Sequence, residues 1–334
     1  MNEQVTINLV VYNGEKYIRH CLNSIKSQTY SSLEVNVFDN NSSDRTKEIV
    51  RQEFPEFKLI ESPKNLGVWP GHEEALKYSH GDFIVATSVD IIIDKYFVEE
   101  AVKVFNKNLK VGAVEAKIYS YALKDGEVIK SNILDTCGFQ IFRSRRITNI
   151  GHGEEDRGQY NEEREIFAVE GAVPVFRRSA LENIRVEGHI ADPDYFWYGD
   201  DLDLAWRMRI FGWKEIYNPK VIAYHDRKTT KGLGQNKKDF IKIRRNVPIF
   251  KRRLDWRNTT LTVIKNDFAN NFWCDFPYIF WRQMQLWAYF IVFEPSMIVE
   301  WFNVAKLLPT MLKRRSEIMR KARISDKEMK QWIL

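Results

Sequence analysis

In the first part of the chain, short apolar runs rich in β-branched side chains alternate with segments whose apolar positions recur at helical spacing. Val5–Val11 (VTINLVV) predicts a strand. Residues 14–28, with Tyr17, Ile18, Cys21, Leu22 and Ile25 on one face, predict the helix after it. Residues 33–38 predict a second strand ending at Asp39, after which Ser43 or Asp44 can cap a helix through Val50. A third strand over 57–60, a helix over 71–78 and a strand over 83–87 complete the series, the last leading into Ser88, Val89 and Asp90. This alternation predicts βα units and a mainly parallel sheet. Ligands of such sheets bind outside the carboxyl ends of the strands, and Tyr12, Asp39 and Asp90 all fall at such ends.

Further along, YGDDLDLAWR, from Tyr198 to Arg207, puts Asp200, Asp201 and Asp203 at the opening of a helix spaced by Leu202, Trp206 and Ile210. A carboxylate at a helix N-terminus is held where a reacting hydroxyl can meet it, yet Asp is also common there as a cap and dipole partner. Spacing alone leaves both open. Asp203 and Arg207 stand i,i+4 and read as a structural pair. Later still, Phe276, Phe280, Met284, Trp287 and Ile291 form one helical stripe, and Ile298, Phe302, Ala305 and Leu308 a second. Glu294, Pro295 and Glu300 interrupt the apolar sequence before the roughly twenty residues needed to span a bilayer, so these helices are expected to lie on a surface.

The 334 residues, 44% hydrophobic and 29% charged, describe a globular chain with room for one large or two modest domains. Cys21, Cys137 and Cys274 are odd in number and form no CxxC pair, which fits a reducing cytosol and excludes a cysteine-based zinc site. The first residues run directly into an apolar strand pattern without a charged leader, so export is not expected. Charge divides the chain. Residues 1–234 carry 31 Lys and Arg against 36 Asp and Glu, whereas residues 235–334 carry 20 against 9. Six of the ten tryptophans lie beyond residue 250, so the last third presents a different kind of surface.

Six segments, in order VVYNGEKYIRHCLNSIKSQTY, VFDNNSSDRT, SPKNLGVWPGHEEAL, GDFIVATSVD, FAVEGAVPVFRRSAL and FWYGDDLDLAWRMRIFGWKEIYNPKVIAYH, make a set far more specific than any member alone. In this the chain resembles the glycosyltransferase family 2 enzymes, and among them the bacterial rhamnosyltransferase-like group. The resemblance spans about residues 5–225. It implies an α/β GT-A fold, Rossmann-like, with a mainly parallel central sheet flanked by helices. It also implies a nucleotide-sugar donor. Asp39 would read the ring NH of a pyrimidine, although DNNSSD also suits an Asx turn. Tyr12, Asn13 and Glu15 resemble the nucleotide-binding turn, and Asn65 and Gly67 the loop beside the nucleotide, where glycine permits close backbone approach. Trp69 departs from the family pattern and would narrow the donor pocket, while Glu73 and Glu74 suit a first helical turn equally well.

By the same resemblance, Asp90 holds a divalent cation (Mg²⁺ or Mn²⁺) against the diphosphate, Ser88 replacing the first acid of the family's DxD, and His225 is a further metal or diphosphate ligand. Asp94 reads as the N-cap of a helix over 95–105. Asp201 aligns with the carboxylate that takes a proton from the acceptor hydroxyl, with inversion at the sugar, and Asp200 would bind the acceptor or hold the helix end. Residues 168–176 resemble the strand forming the acceptor floor. Residues 120–165 read as a polar excursion able to fold over the acceptor. RRNVPIFKRR resembles a basic helix of the rhamnosyltransferase-like group.

The resulting expectation is a GT-A catalytic domain over residues 1–234 and a helical C-terminal appendage over 235–334, basic and aromatic, that meets the inner face of a membrane or forms a homodimer. The expected reaction is inverting transfer from dTDP-rhamnose or a UDP-hexose to a glycan or polyprenyl-linked acceptor in cell-surface polysaccharide synthesis, such as O-antigen. A cytoplasmic, peripheral location and no nucleic-acid partner go with it. Two rivals are a nucleotidyltransferase, for which the early glycine-rich phosphate loop is missing, and a non-catalytic membrane or nucleic-acid binding protein, which leaves the order of Asp39, Asp90, Asp201 and His225 without a reason.

Overall fold

The computed structural model describes residues 3–227 and 247–334. Strands β1 (Val5–Val11), β2 (Leu33–Asp39) and β3 (Lys58–Glu61) run parallel, joined by α1 (Ile18–Lys26) and α2 (Thr46–Glu53). Helix α3 (Val68–Leu76) returns the chain to β4 (Phe83–Ser88), which pairs parallel with the other edge of β1. All seven residues of β1 are buried, which is why its sequence reads as a run without alternation. Its polar side chains are bonded inside the sheet layer: Thr6 Oγ1 donates to Glu34 (2.6 Å), and Asn8 Oδ1 accepts from Asn36 (3.1 Å).

Beyond β5 (Ile91–Ile93) and α4 (Phe97–Lys107), the long β6 (Val111–Lys124) turns back antiparallel into β7 (Glu127–Thr136). A separate two-stranded sheet pairs β8 (Phe139–Ile141) with β9 (Ile147–Asn149). Then follow β10 (Arg164–Glu165), β11 (Val175–Arg177), α5 (Arg178–Asn183), α6 (Asp200–Ile210) and β12 (Lys214–His225). The main sheet has the order β10-β12-β6-β11-β4-β1-β2-β3, with β5 on β12 and β7 on β6. Strand β11 is antiparallel to both neighbours, and β12 runs parallel to β6. The architecture is the expected α/β one, a central sheet flanked by helices and followed by a helical C-terminal region.

That region comprises α7 (Ile249–Asn266), α8 (Ala269–Phe293), a 3-10 turn at Pro295–Met297, α9 (Ile298–Lys321) and α10 (Asp326–Lys330). It shares its core with the sheet region. The apolar cluster around Phe176, Leu204 and Trp206 takes in Ile318 and Met329, and Leu261 and Met311 enclose Tyr195. Among the described residues no helix is long and apolar enough to cross a membrane. The expected boundary at residue 234, and Arg244, Arg245 and Asn246 of the basic segment, lie outside the described residues.

Several local expectations are corrected. The segment over 120–165 is a β-hairpin and a small sheet rather than a loop, anchored by Lys117, which is buried and pairs with Asp156 (2.6 Å). Of the predicted strand over 168–176 only Val175 and Phe176 are strand, because buried carboxylates replace a neighbouring strand: Glu215 accepts from the Val169 N–H (2.8 Å) and Glu115 from the Glu170 N–H (2.5 Å). Burial pushes the Glu215 carboxyl up to about 8 and that of Glu115 well above its usual value. Helix α4 begins at Phe97, and Asp94 accepts from the Tyr96 N–H (3.0 Å) in the turn before it. Trp69 is buried edge-on to Phe176 (5.7 Å between rings), a core residue. Glu73 ties α3 to the segment before α6, accepting from Arg185 (2.9 Å) and the Ile190 N–H (3.1 Å).

Candidate active site

The parallel register sets the site. Val11 lies opposite Asp39, and Val10 opposite Ser88, so β1, β2 and β4 deliver their C-terminal ends to one crevice. At its first end Asp39 is fully buried. Its Oδ1 accepts from the Ser42 N–H (2.9 Å), and its Oδ2 has no hydrogen-bond partner. An unpaired buried carboxylate oxygen is costly unless a ligand donates to it. Asn13, at φ 51°, accepts from the Ser43 N–H (2.8 Å), and exposed Tyr12 precedes it. Glu15 accepts from the Arg45 N–H (3.3 Å), so Asn13 and Glu15 shape this turn.

Asn40 fixes the opposite wall. Its Nδ2 donates to the Gly67 carbonyl (2.7 Å) and to Asn65 Oδ1 (3.1 Å), while its Oδ1 accepts from the Leu66 N–H (2.8 Å). Gly67 is required at φ 93°, where an added Cβ would sit 2.1 Å from the Phe196 carbonyl oxygen. The close approach is therefore to the segment preceding α6, which differs from the nucleotide contact expected of this glycine.

At the middle of the crevice, antiparallel pairing of His225 with Ile91 brings the imidazole beside Asp90. His225 Nε2 lies 3.6 Å from Asp90 Oδ2, and His225 Nδ1 is 2.9 Å from Asp135 Oδ2. Ser88 Oγ donates to Asp90 Oδ1 (2.7 Å). Burial opposes ionisation of Asp90, but the facing His225 charge and these hydrogen bonds outweigh it and hold the carboxyl at about 2. His225 shows the converse: burial alone would lower it, while Asp90 and Asp135 raise it to about 9. Among the described residues no cluster of three or more metal-ligating side chains surrounds one point. Asp90 and, once it has released its proton, the Nε2 of an imidazole steered by Asp135 would offer two ligands, which suits a hard cation completed by diphosphate oxygens and water.

From there a chain of contacts runs to α6. Arg227 Nε donates to Asp135 (2.8 Å) and its Nη2 to Glu170 (2.8 Å). The next N–H, of Gly171, donates to Asp201 Oδ2 (3.2 Å), and the Leu202 N–H donates to Asp201 Oδ1 (2.8 Å). Burial first, and then the Glu170 charge, raise the Asp201 carboxyl to about 6. Burial, and then the adjacent Asp201 charge, also push the Asp200 carboxyl well above its usual value. Of the two neighbours, Asp201 is half-buried and Asp200 fully buried, so burial opposes ionisation more strongly at Asp200. Asp203 faces away and pairs with Arg207 (2.9 Å), as its spacing implied.

Sequence reasoning missed Asp135, Arg227 and Asp226. Asp135 carried a signal, an acid closing the run NILDTC in a strand, and it is buried. Asp226 accepts from the Tyr17 hydroxyl (2.8 Å), tying α1 to the end of β12, and its N–H donates to the Asp90 carbonyl (3.2 Å).

Residues 6–185 match the model of the family described as Glycosyl transferase family 2. The chain is 22% identical over 314 residues to poly-beta-1,6-N-acetyl-D-glucosamine synthase of Staphylococcus epidermidis, the match covering 90% of this chain and 63% of that one. It therefore spans less than two thirds of that relative. Among solved structures, S. aureus TarS superposes at a TM-score of 0.56 with 15% identity, over 97% of this chain and 55% of that one. Mannosyltransferase PcManGT from Pyrobaculum calidifontis, in complex with GDP-Man and Mn2+, superposes at 0.53 with 19% identity, over 99% and 79%. At these identities the structural matches establish the shared fold.

Proposed function

Because the chain belongs to glycosyl transferase family 2, we propose that it transfers a sugar, with inversion, from a pyrimidine nucleoside diphosphate donor to a hydroxyl of a glycan or lipid-linked acceptor in cell-surface polysaccharide synthesis. One observation carries the reading. The unpaired Asp39 oxygen and the Asp90–His225 pair lie at the C-terminal ends of the sheet's strands, and Asp201 is reached from that pair through Asp135, Arg227, Glu170 and the Gly171 N–H, which supports the order base, diphosphate, reacting carbon. Asp39 accepts from the base. Asp90 and His225 would hold a divalent ion, which would supply charge neutralisation for the departing diphosphate. Asp201 takes the acceptor proton as the hydroxyl oxygen bonds to the anomeric carbon and the bond to diphosphate breaks. Arg227, held by Asp135 and Glu170, keeps positive charge between the two ends. The relatives' names support a polysaccharide product, and the Mn2+ in the PcManGT complex supports the cation. The test is thermal stabilisation by dTDP-rhamnose, UDP-glucose and UDP-N-acetylglucosamine, each with and without Mn²⁺. Selective, metal-dependent stabilisation by one of them is expected, and none by any of the three refutes the donor site.

The acceptor side includes a lipid surface. Residues 269–312 contain three acids, Asp275, Glu294 and Glu300, and all are buried. Asp275 pairs with Arg143 (2.7 Å) and Arg145 (2.8 Å), Glu294 with Arg252, and Glu300 with Arg253 (2.7 Å). The outer face over residues 269–312 therefore carries no carboxylate, while Trp273, Trp281, Val292 and Phe302 are each about two-thirds exposed or more. Arg252 and Arg253 turn inward, so contact with lipid is led by aromatic side chains, which suit the headgroup boundary of a bilayer. The protein is expected to sediment with phosphatidylcholine/phosphatidylglycerol vesicles and largely to stay bound at high salt, whereas the folded double variant Trp273→Glu, Trp281→Glu is not. A wild type that ignores vesicles and dimerises through these tryptophans would refute the lipid surface.

A further inference from the structure

Helix α7 belongs to the C-terminal third, yet the side chains it turns toward the sheet region are polar. Asn258, Thr262, Lys265 and Asn266, at i, i+4, i+7 and i+8, are all buried. Such a stripe is expensive to bury unless each member is bonded. Each is, and largely to one short stretch. Asn258 Nδ2 donates to the carbonyls of Trp197 (2.9 Å) and Tyr198 (2.7 Å), the Thr262 hydroxyl lies 3.5 Å from the Gly199 carbonyl, and Asn266 Nδ2 donates to Asp203 Oδ1 (2.9 Å). Lys265 pairs with Asp203 (2.9 Å) and with Asp192.

The stretch these groups hold is under backbone strain. Tyr198 sits at φ 65° and Gly199 at φ 75°, two left-handed residues in succession and the first of them bulky, immediately before Asp200 and Asp201. Such a turn persists only where its surroundings over-determine it. At Gly199 an added Cβ would lie 3.1 Å from Asn258 Cβ.

We propose that Asn258 is a positioning residue for the reaction: by holding the Trp197 and Tyr198 carbonyls it fixes the strained turn that aims the Asp200–Asp201 pair, so that the C-terminal helices complete the active site. The inference rests on the reading of Asp201 as the proton acceptor. Asn258 touches no reacting atom; it acts through the turn.

The test uses the full chain and the sugar nucleotide that stabilises the wild type among the three named above, measuring release of nucleoside diphosphate. Asn258→Leu keeps the shape and removes both donated hydrogen bonds. It should lower kcat by about 10²-fold per folded molecule, the scale of a misplacement of roughly 1 Å. Nucleoside diphosphate affinity by calorimetry should stay unchanged, since the Asp39 end is built from other elements. Loosening the turn admits water to Asp201, so the acidic limb of the kcat profile should move below its wild-type position. Gly199→Ala, which pushes the turn off α7 without deleting a polar group, should give the same signature and serves if Asn258→Leu does not fold. Unchanged kcat and acidic limb per folded molecule overturn the proposal, as does a loss explained wholly by a smaller folded fraction. Near-normal turnover in Asp201→Asn would instead remove the underlying reading and is distinguishable, because it does not involve α7.

Discussion

Asp201 offers the sharpest single test. Its carboxyl is raised by burial and by Glu170 to about 6, and a base acts only when ionised. The sign follows: activity is present above about 6 and is lost as the pH falls through that value. With one group titrating near 6, about nine-tenths of the molecules are competent at pH 7 and about one-tenth at pH 5, so kcat/KM should fall roughly tenfold between pH 7 and pH 5. Asp201→Asn keeps the shape and removes the base, with an expected loss of about 10² to 10⁴ in turnover and intact donor binding. Burial and the Asp201 charge both oppose ionisation of Asp200, so Asp200→Asn should be the milder change and stay within about tenfold of wild type. The assay is nucleoside diphosphate release across pH 5 to 8, with folding checked at each pH. A flat profile between pH 7 and pH 5, or an Asp201→Asn enzyme within tenfold of wild type, refutes the assignment.

Nucleoside diphosphate binding should require a divalent ion and weaken in Asp90→Ala and His225→Ala, whereas Asp39→Ala should weaken it with or without metal; calorimetry in excess chelator separates the two classes. Lys265→Met leaves buried Asp192 to Arg314 and buried Asp203 to Arg207, each short of one cation, and should cost at most about 3 kcal/mol, read by denaturant unfolding. Glu215, raised by burial from 4.5 to about 8, contributes stability that is full below about 4.5 and is lost as pH rises through about 8. The melting temperature of Glu215→Gln should therefore fall less than that of wild type between pH 5 and 8; identical slopes would show that Glu215 is not the titrating group.

The crevice was legible because its strands are simple. Buried parallel strands write themselves as continuous apolar runs, so the ends carrying Tyr12, Asp39 and Asp90 could be located, and β12 likewise pointed to His225. The segment over 120–176 was not legible for the opposite reason. Its backbone is held by Lys117, Glu115 and Glu215, charged residues that sequence patterns assign to solvent but that are buried here. The same inversion hid the polar face of α7 and turned Arg252 and Arg253 inward, away from the surface their charge suggested. Trp69 misled through its size, since a bulky side chain at a ligand loop can as well be a core residue.

The polar stripe of α7 also limits how the molecule can be recombined. Asp203 lies on the same helix as Asp201, and its charge is balanced from within that helix by Arg207 and from α7 by Lys265. A chimera that keeps the sheet region and borrows its last third from a relative with apolar residues at 258, 262, 265 and 266 would strand two carbonyls inside the protein and leave Asp203 to Arg207 alone. Exchange of acceptor preference between such enzymes should therefore succeed only when α6, the turn before it and α7 travel together as one cassette.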